Sequence, residues 1–513
     1  MKCVTWGMQQ RFYAMPADCY TESCQLRADS FMRFLLALIT AIVTTACATN
    51  PVTGKRELSF MSEAQEISVG RELDAQVRQE MGLYENNELQ RYVQDLGMQL
   101  ARSSQRPNLP WSFAVLDSPA VNAFALPGGF IYITRGILPY LDNEAQLVGV
   151  LGHEIGHVTA RHSAQQYTRG MGASLGVLVG SIFVPQIRPF GDLAEGGIGV
   201  LFLKFGRDDE LQADALGAEY AAAGRWDPEQ VPAFLTTLAR IAETTDRNGV
   251  PNWLSTHPQP ENRAERVGET VKKVRATAAD GGAWTVDRDG YLARIDGIVF
   301  GDNPEDGIVR GNVFLHPPLR FALEFPEGWD ITNSDEQVVA QEPGNKVFMV
   351  LRTIEPRVGR SLDQIAQQHM RESGYKPVDL TQATIGGMQA VVGTYEGSAS
   401  GIGKVTARGA HVVLGRSTFF IGGIAPPDVY PRLTADFDRT IQSFRQMSQD
   451  EANAVEPNLL DLYTARQGDT WQSIAQRAGK GLVTATTLAI MNDHAIDEQP
   501  KPGTRLKIVV AGS

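Results

Sequence analysis

The sequence predicts an α+β protein with a mainly helical first half, a β-rich third part and a small βααβ unit at its end. Helical patterning dominates from Ser62 to Gln105 and, after two short strand signals, up to about Ala276. From Gly311 to Met447 apolar strand segments prevail, with one helical stretch near Leu362 to Met370. Residues 458–513 read as strand, helix, helix and strand. We therefore expect three folded units.

Composition excludes some classes of protein. The chain has 513 residues, of which 43% are hydrophobic and 21% are charged, as in ordinary globular proteins. Its formal net charge is -12 and its isoelectric point is about 5.3. Binding to nucleic acid requires clustered Lys and Arg, and no such basic run is present, so we expect no nucleic-acid partner.

The N-terminal segment predicts export and lipid attachment. Residues 1–31 have no signal pattern, whereas Met32 and Arg33 precede an apolar run, 34–43, that is too short to span a bilayer stably. We therefore expect residues 1–31 to lie upstream of the true start and residues 32–46 to form a signal peptide. Thr44-Thr45-Ala46-Cys47 resembles a bacterial lipobox, which implies cleavage before Cys47 and a lipid on its thiol.

A lone cysteine at the mature terminus supports this interpretation. Removal of residues 1–46 leaves Cys47 as the only cysteine, so no internal disulfide can form. Residues 47–60 would then be a lipidated tether. The alternatives are an uncleaved N-terminal anchor, or a conventional cleavage for which Cys47 is incidental. Ala48, rather than Asp, resembles lipoproteins sent to the outer membrane, so we expect the periplasmic side of a bacterial envelope.

The motif His153-Glu154-Ile155-Gly156-His157 is a candidate zinc site on a helix that Asn143 can cap. Residues four apart on a helix lie on one face, so the imidazoles of His153 and His157 can bind one metal ion. Glu154 projects beside them and is a candidate general base. The motif alone is only moderately specific.

A second pair of acids strengthens the prediction. Glu210 and Asp214 lie four residues apart on another predicted helix. A catalytic zinc takes three protein ligands and keeps one open position, and Glu210 can supply the third ligand. Asp214 can orient an imidazole N–H from behind. His162, five residues after His157, is about 140° away on a continuous helix and is interpreted as a bystander.

These motifs resemble family forty-eight of the metallopeptidases, which includes heat-shock proteases, prenyl-protein proteases and soluble periplasmic lipoproteins. The resemblance covers about residues 50–275. It rests on the HExxH helix, on Glu210-Leu211-Gln212-Ala213-Asp214, on Ser255-Thr256-His257-Pro258 with Arg263, and on the segment 121–132. It implies a mainly helical zincin-type peptidase domain, predicted at 61–300, with a small edge-strand sheet.

The resemblance also implies roles for these residues. One zinc ion per chain would be bound by His153, His157 and Glu210, with Glu154 as general base and Asp214 and Arg263 behind the ligands. His257 would stabilise the transition state or bind the metal and block the site; a packed loop histidine is the alternative. For Arg263 the alternative is a charge on a helix surface. A peptide substrate would pair with the strand segment made of Val121, Asn122, Ala123, Phe124 and Ala125.

Three further segments have non-catalytic interpretations. Met171 to Val184 is apolar and too short to cross a bilayer, so we expect a plug near the active site, with membrane-surface contact as the alternative. The α+β unit at 311–447 resembles PsbP/Mog-type modules. Its His369 and His411 have no ligand spacing and are interpreted as core or surface histidines. In 458–513, the segment Tyr463 to Ala475 resembles the opening of a LysM module, which implies binding to peptidoglycan or a purely structural end domain.

Together these observations predict a membrane-tethered zinc endopeptidase of the cell envelope that hydrolyses misfolded or misassembled envelope proteins. The rivals are a chaperone-like, self-inhibited protein that seldom cleaves, and a peptidoglycan-binding factor.

Overall fold

The computed structural model describes most of the chain after the predicted signal peptide. The predicted plug, Met171 to Val184, lies outside the described residues. The described ranges are 47–59, 61–166, 205–244, 253, 257, 262–277, 283–334, 337–354, 359–399 and 402–512.

The described part of the chain begins with a β-hairpin, which lies within the predicted tether, 47–60. Strands β1 (Cys47–Thr49) and β2 (Arg56–Leu58) pair antiparallel. Between them, the buried Asn50 donates from Nδ2 to the carbonyl of Ala160 over 3.2 Å. This bond docks the hairpin on the helical domain.

The first helical stretch is two helices, α1 (Glu63–Glu80) and α2 (Asn87–Arg102). The predicted start is confirmed, because the Ser62 hydroxyl accepts from Gln65 N–H while the Gln65 side chain accepts from Ser62 N–H. Gly82, at φ 62°, lies in the turn that separates the helices.

A three-stranded sheet lies beside these helices. Strand β5 (Phe130–Thr134) is central; it pairs parallel with β3 (Ser112–Leu116) and antiparallel with β4 (Ala123–Leu126). The strand order is β3-β5-β4, so β4 is an edge strand. The predicted strand was too long at its start, since Val121 and Asn122 precede β4. A 3₁₀ helix, Arg135–Tyr140, follows β5.

In the described residues of this domain after the 3₁₀ helix, five helices follow. Asn143 caps the first of them as expected, accepting from Gln146 N–H. These helices are α3 (Glu144–Thr159), α4 (Arg207–Ala223), α5 (Gln230–Thr244), α6 (Arg263–Thr277) and α7 (Arg288–Ile295).

Glycines bring α3 and α4 unusually close. A Cβ on Gly152 would lie 3.0 Å from Gly217 Cα, and a Cβ on Gly156 would lie 3.0 Å from Ala213 Cα. Both contacts are tighter than ordinary packing, so larger side chains at these positions would push the helices apart. The close approach sets the separation of the side chains that the two helices present to the predicted zinc site.

The second unit is built on two antiparallel sheets. Its larger sheet has seven strands in the order β10-β11-β12-β16-β15-β14-β13, and its smaller sheet has the order β17-β9-β8-β7. Helix α8 (Leu362–Glu372) packs over β13 and β14, whereas α9 (Tyr430–Ser443) packs over β15 and β16 and encloses the main core. The strands are β7 (Ile308–Arg310), β8 (Val313–His316), β9 (Phe321–Glu324), β10 (Asp330–Asn333), β11 (Gln337–Gln341), β12 (Phe348–Ile354), β13 (Lys376–Ile385), β14 (Met388–Ala399), β15 (Gly403–Leu414), β16 (Ser417–Ala425) and β17 (Arg445–Gln446).

The C-terminal unit has the expected strand-helix-helix-strand order. After the short helix α10 (Gln449–Asn453) come β18 (Asn458–Thr464), α11 (Trp471–Arg477), α12 (Ala485–Met491) and β19 (Arg505–Ala511). Strand β18 lies between β19 and β6 (Val299–Phe300), and β6 follows the helical domain directly.

The C-terminal unit shares a core with the helical domain. Leu460, Ile490, Met491 and Val509 are buried in the same apolar cluster as side chains of α2, α3, α5 and α7. The fully buried ammonium group of Lys507 donates to the carbonyl of Leu141, and burial lowers the pKa of this lysine to about 8. The last unit is therefore packed into the first one across a gap of about 150 residues in sequence.

The described helices give no sign of a membrane span. None of them combines the length and the apolar character needed to cross a bilayer.

Candidate metal centre

Helix α3 carries the HExxH motif in the interior of the protein. His153, Glu154 and His157 are all almost fully buried. One helical turn separates the imidazoles, and their Nε2 atoms lie 3.0 Å apart. The two rings therefore present their Nε2 atoms to the same point.

Helix α4 places a carboxylate at that point. Glu210 Oε1 lies 3.5 Å from His157 Nε2, and Glu210 Oε2 lies 3.6 Å from His153 Nε2. His257 joins them, and one ligand atom from each of these four side chains lies within 4.8 Å of the others. The structure thus brings together the three predicted ligands and His257, whose role the sequence left open.

Asp214 and Arg263 support the ligands from behind. His153 Nδ1 lies 2.9 Å from Asp214 Oδ1, and Arg263 donates to both oxygens of Asp214 over 2.7 Å. Burial by itself raises the pKa of Asp214, but the charge and hydrogen bonds of Arg263 and the bond to His153 lower it to about 2. The ionised Asp214 holds the proton of His153 on Nδ1, which leaves Nε2 available to a metal. Arg263 is therefore not a surface charge.

The charges in this site favour a divalent cation. Burial raises the pKa of Glu154 to about 8, and burial together with nearby carboxylates raises that of Glu210 above its usual range. Among the described residues, Arg263 is the one guanidinium paired with Glu210 and Asp214; its Nη1 lies 3.1 Å from Glu210 Oε2 and its Nε lies 2.7 Å from Asp214 Oδ2. No oxygen of Glu154 or Glu210 accepts a hydrogen bond from the described residues. A cation of charge +2 would compensate these groups, and the N and O donors suit zinc.

Trp253 positions His257. The two rings stack with centroids 4.3 Å apart and an interplanar angle of 20°. The backbone N–H of Trp253 donates to the carbonyl of Val121 over 3.0 Å. This hydrogen bond holds Trp253 next to the residue that lies two positions before the edge strand β4. His257 Nε2 lies 3.6 Å from Glu154 Oε1. The packed-loop alternative does not describe this histidine, since its ring faces the other candidate ligands.

The interpretation of His162 as a bystander was wrong. Helix α3 ends at Thr159, and Arg161 adopts a left-handed conformation at φ 61°, so His162 does not continue the helix. Its Nδ1 lies 2.9 Å from His157 Nδ1, and its Nε2 lies 3.0 Å from Gln212 Oε1. The assumption of a continuous helix caused the error, because one left-handed residue turns the chain back on itself.

Two aromatic residues at this site, Phe205 and Trp253, were not predicted from the sequence. Phe205 stacks on His157 with centroids 4.0 Å apart, and Trp253 packs against both His153 and His257. A spacing of four between Trp253 and His257 was the available signal for the second contact. Phe205 gave none, since it precedes α4 by two residues and its contact is tertiary.

This fold and this site define a class of protein. Two histidines one helical turn apart, an adjacent glutamate and a carboxylate from a second helix characterise zinc metalloendopeptidases. Residues 87–271 match the profile of Peptidase family M48, and residues 463–509 match that of the LysM domain. The chain carries an M48 zinc metallopeptidase domain and a C-terminal LysM domain, and both expected resemblances are confirmed.

Several known proteins are similar to parts of this chain. The chain is 26% identical over 354 residues to the beta-barrel assembly-enhancing protease of Escherichia coli, covering 64% of this chain and 71% of that one. It is 31% identical over 171 residues to the mitochondrial metalloendopeptidase OMA1 of Arabidopsis thaliana, covering 33% of each chain. Among solved structures, cyanobacterial PsbP (CyanoP) from Synechocystis aligns with 27% of this chain and 95% of its own, at 9% identity and a TM-score of 0.23.

Proposed function

We propose that this protein is a zinc endopeptidase of the bacterial cell envelope that hydrolyses misfolded or misassembled envelope proteins. The observation that carries the proposal is the convergence of His153, His157 and Glu210 within the 4.8 Å cluster, with Glu154 beside them. We assign the first three as zinc ligands and Glu154 as general base. The similarity to the beta-barrel assembly-enhancing protease of Escherichia coli supports the choice of envelope substrates.

The side chains divide the chemistry among them. When bound, zinc supplies the Lewis acidity that activates water and polarises a carbonyl group. Glu154 takes a proton from the attacking water and returns it to the leaving amine. Asp214 keeps His153 in the tautomer that can bind metal, and Arg263 keeps Asp214 ionised.

The edge strand β4 suits an extended peptide. An edge strand offers unpaired backbone groups, so strand addition reads the peptide backbone and gives broad sequence specificity. The carbonyl of Val121, immediately before this edge, already accepts from Trp253. A substrate that pairs along Val121 to Ala125 would compete with the segment that carries His257.

We predict that His257→Ala raises peptidase activity. His257 lies in the same 4.8 Å group as the three proposed ligands, so its imidazole would take the fourth position of a zinc ion held there and would exclude water or substrate. Removal of the imidazole should increase casein hydrolysis by about tenfold, which corresponds to a blocking free energy of about 1.4 kcal/mol. Fluorescent casein assays on zinc-loaded protein, with and without a chelator, measure this.

The matched control is Trp253→Phe, which keeps a ring stacked on His257. Activity that falls in His257→Ala would show instead that this imidazole assists the reaction. A wild-type protein and a His257→Ala variant that are both inert would favour the chaperone-like alternative. Cleavage that resists the chelator would contradict zinc catalysis.

We predict that His162→Ala weakens zinc binding. If His157 holds zinc on Nε2, its proton would lie on Nδ1 and would be donated to His162 Nδ1, while His162 would donate from Nε2 to Gln212. Loss of a partner behind a ligand typically costs 10-fold to 100-fold in metal affinity. Competition with a chromogenic chelator measures this affinity, and the unfolding temperature of the metal-free protein should change little.

Gln165→Ala is the control for His162, since Gln165 bonds to Glu57 and Ala160 near the same turn without reaching the ligands. An unchanged zinc affinity in His162→Ala, or an equal loss in both variants, would contradict the positioning role.

We propose that Cys47 carries a lipid that holds the protein at the periplasmic side of the outer membrane. Asn50, three residues later, is already bonded to Ala160 at the end of α3. Three residues span on the order of 10 Å, so the lipid would keep the metal centre close to the membrane surface. We further propose that the LysM domain binds peptidoglycan, as expected from its family.

We predict that Cys47→Ala abolishes lipid labelling. Cells that express the full chain and receive radioactive palmitate should label the wild type and Cys24→Ala equally, because Cys24 lies upstream of the predicted cleavage. The Cys47→Ala protein should be unlabelled and should move from the membrane to the soluble fraction. Label that persists in Cys47→Ala would refute the anchor.

A further inference from the structure

The seven-stranded sheet has an apolar face that its helices leave partly uncovered. Helix α9 covers one face, where Val338, Met349 and Leu351 are buried in the main core. On the other face α8 lies over β13 and β14, towards one end of the sheet. Beside α8, strands β11, β12 and β16 line a pocket of about 250 Å³ that includes the half-buried Val339 and Val350.

A glycine on β16 leaves space in this pocket because it has no side chain. Gly422 lies on β16 between Phe420 and Ile424, which point to the same face. A Cβ on Gly422 would lie 2.5 Å from Cζ of Phe420, which also lines the pocket, so a larger residue would clash with this ring. The resulting space is smaller than the usual 300–1,000 Å³ of sites for drug-sized ligands, and it suits a narrow chain.

The guanidinium group of Arg352 lines the pocket. Among the described residues no carboxylate lies within 4 Å of the Arg352 guanidinium, and its buried Nε has no hydrogen-bond partner. Arg352 Nη2 donates to His369 Nε2 over 2.6 Å. A guanidinium beside apolar side chains, without a counter-ion, favours an anionic ligand.

Two buried histidines form a hydrogen-bonded pair behind Arg352. Because Arg352 can only donate, His369 accepts on Nε2 and its Nδ1–H donates to His411 Nε2 over 2.9 Å. His369 is 7% exposed and His411 is 0% exposed. Burial, assisted by the charges of His369 and Arg352, lowers the pKa of His411 to about 3, so His411 stays neutral. The pair supports Arg352 without offering it a negative charge.

We propose that this pocket binds a single-chain aliphatic carboxylate, with the carboxylate on Arg352 and the alkyl chain along Val350, Gly422 and Ile424. The carboxylate supplies a counter-charge that the described residues do not offer to Arg352, and a linear alkyl chain matches the narrow apolar space. The site lies in the second unit and is separate from the metal centre. It does not depend on the proposed peptidase function.

Titration calorimetry of the full chain tests this proposal with alkanoates below their micelle concentrations. From hexanoate to octanoate to decanoate, affinity should rise by up to about fourfold per methylene until the pocket is filled. Decanol and decyltrimethylammonium should bind at least tenfold more weakly than decanoate. Arg352→Met, which keeps an unbranched apolar side chain, should lower decanoate affinity by about 10-fold to 100-fold.

Two variants control for the location of binding. Arg408→Met removes the same charge from the same sheet, but Arg408 is paired with Asp438 of α9, so decanoate affinity should not change. Val350→Trp fills the pocket and should abolish binding while the circular dichroism spectrum stays native. Equal binding of decanoate and decanol, or an unaffected Arg352→Met or Val350→Trp variant, would overturn the proposal. Tighter binding of a peptide acid ending in Leu-Phe, lost in its amide, would assign the pocket to peptide C-termini instead.

Discussion

Glu154→Gln is expected to lower the rate of peptide hydrolysis by about a thousandfold, within the range for loss of a general base, while zinc remains bound. Glutamine has the same shape as glutamate but cannot accept the proton of the attacking water. Glu154 is fully buried and does not belong to the group of four converging donors, so its loss should leave the zinc ligands in place. Zinc content by atomic emission and casein hydrolysis by fluorescence measure the two effects separately.

Glu210→Gln is the matched control for this experiment. It makes the same chemical change one helix away, at a proposed zinc ligand, and should lose both zinc and activity. A Glu154→Gln protein that cleaves casein at the wild-type rate would disprove the role as base. A Glu154→Gln protein without zinc would show that Glu154 binds the metal.

Deletion of residues 458–513 is expected to unfold the peptidase domain and not merely to remove a binding module. Leu460, Ile490, Met491 and Val509 are buried in the core of the helical domain. Burial of each such side chain contributes about 1.5–3 kcal/mol, or about 6–12 kcal/mol for four of them. This sum is comparable to the whole stability of a domain, about 5–15 kcal/mol. The deletion also removes β18, which pairs with β6. Thermal unfolding of the shortened chain should show no cooperative transition for the peptidase domain.

Point variants within the LysM domain separate packing from glycan binding. Leu460→Asp and Met491→Asp place a charge in the shared core and should lower the unfolding temperature sharply and reduce zinc-dependent cleavage. Leu482→Asp and Ile496→Asp are matched controls on the outer side, where the side chains are 39% and 47% exposed, and should leave both properties unchanged. A fully active and stable deletion protein would show that the last domain is an independent module. For the same reason, peptidoglycan binding is better tested with the intact chain.

Much of the candidate metal centre could be predicted from local patterns in the sequence. The pairs His153/His157 and Glu210/Asp214 were predicted from helical spacing, because the relation between residues four apart depends only on the geometry of one helix. The cap at Asn143 was also predicted, because a capping bond joins residues three apart at one helix end. The α+β class and the order of elements in the last unit also followed from local patterns of apolar and turn residues.

The sequence by itself thus determined the type of chemistry, the helices that carry it and the families that its two recognisable domains resemble. Only the tertiary structure decided that His257 reaches the proposed metal ligands, that Arg263 is bonded to Asp214, and that Arg161 turns His162 back onto His157. Only the tertiary structure also decided that the LysM domain shares the core of the peptidase domain. These features depend on contacts between residues far apart in the chain or on one residue with positive φ. Local periodicity carries no information about such contacts, because they form only when separate elements pack together.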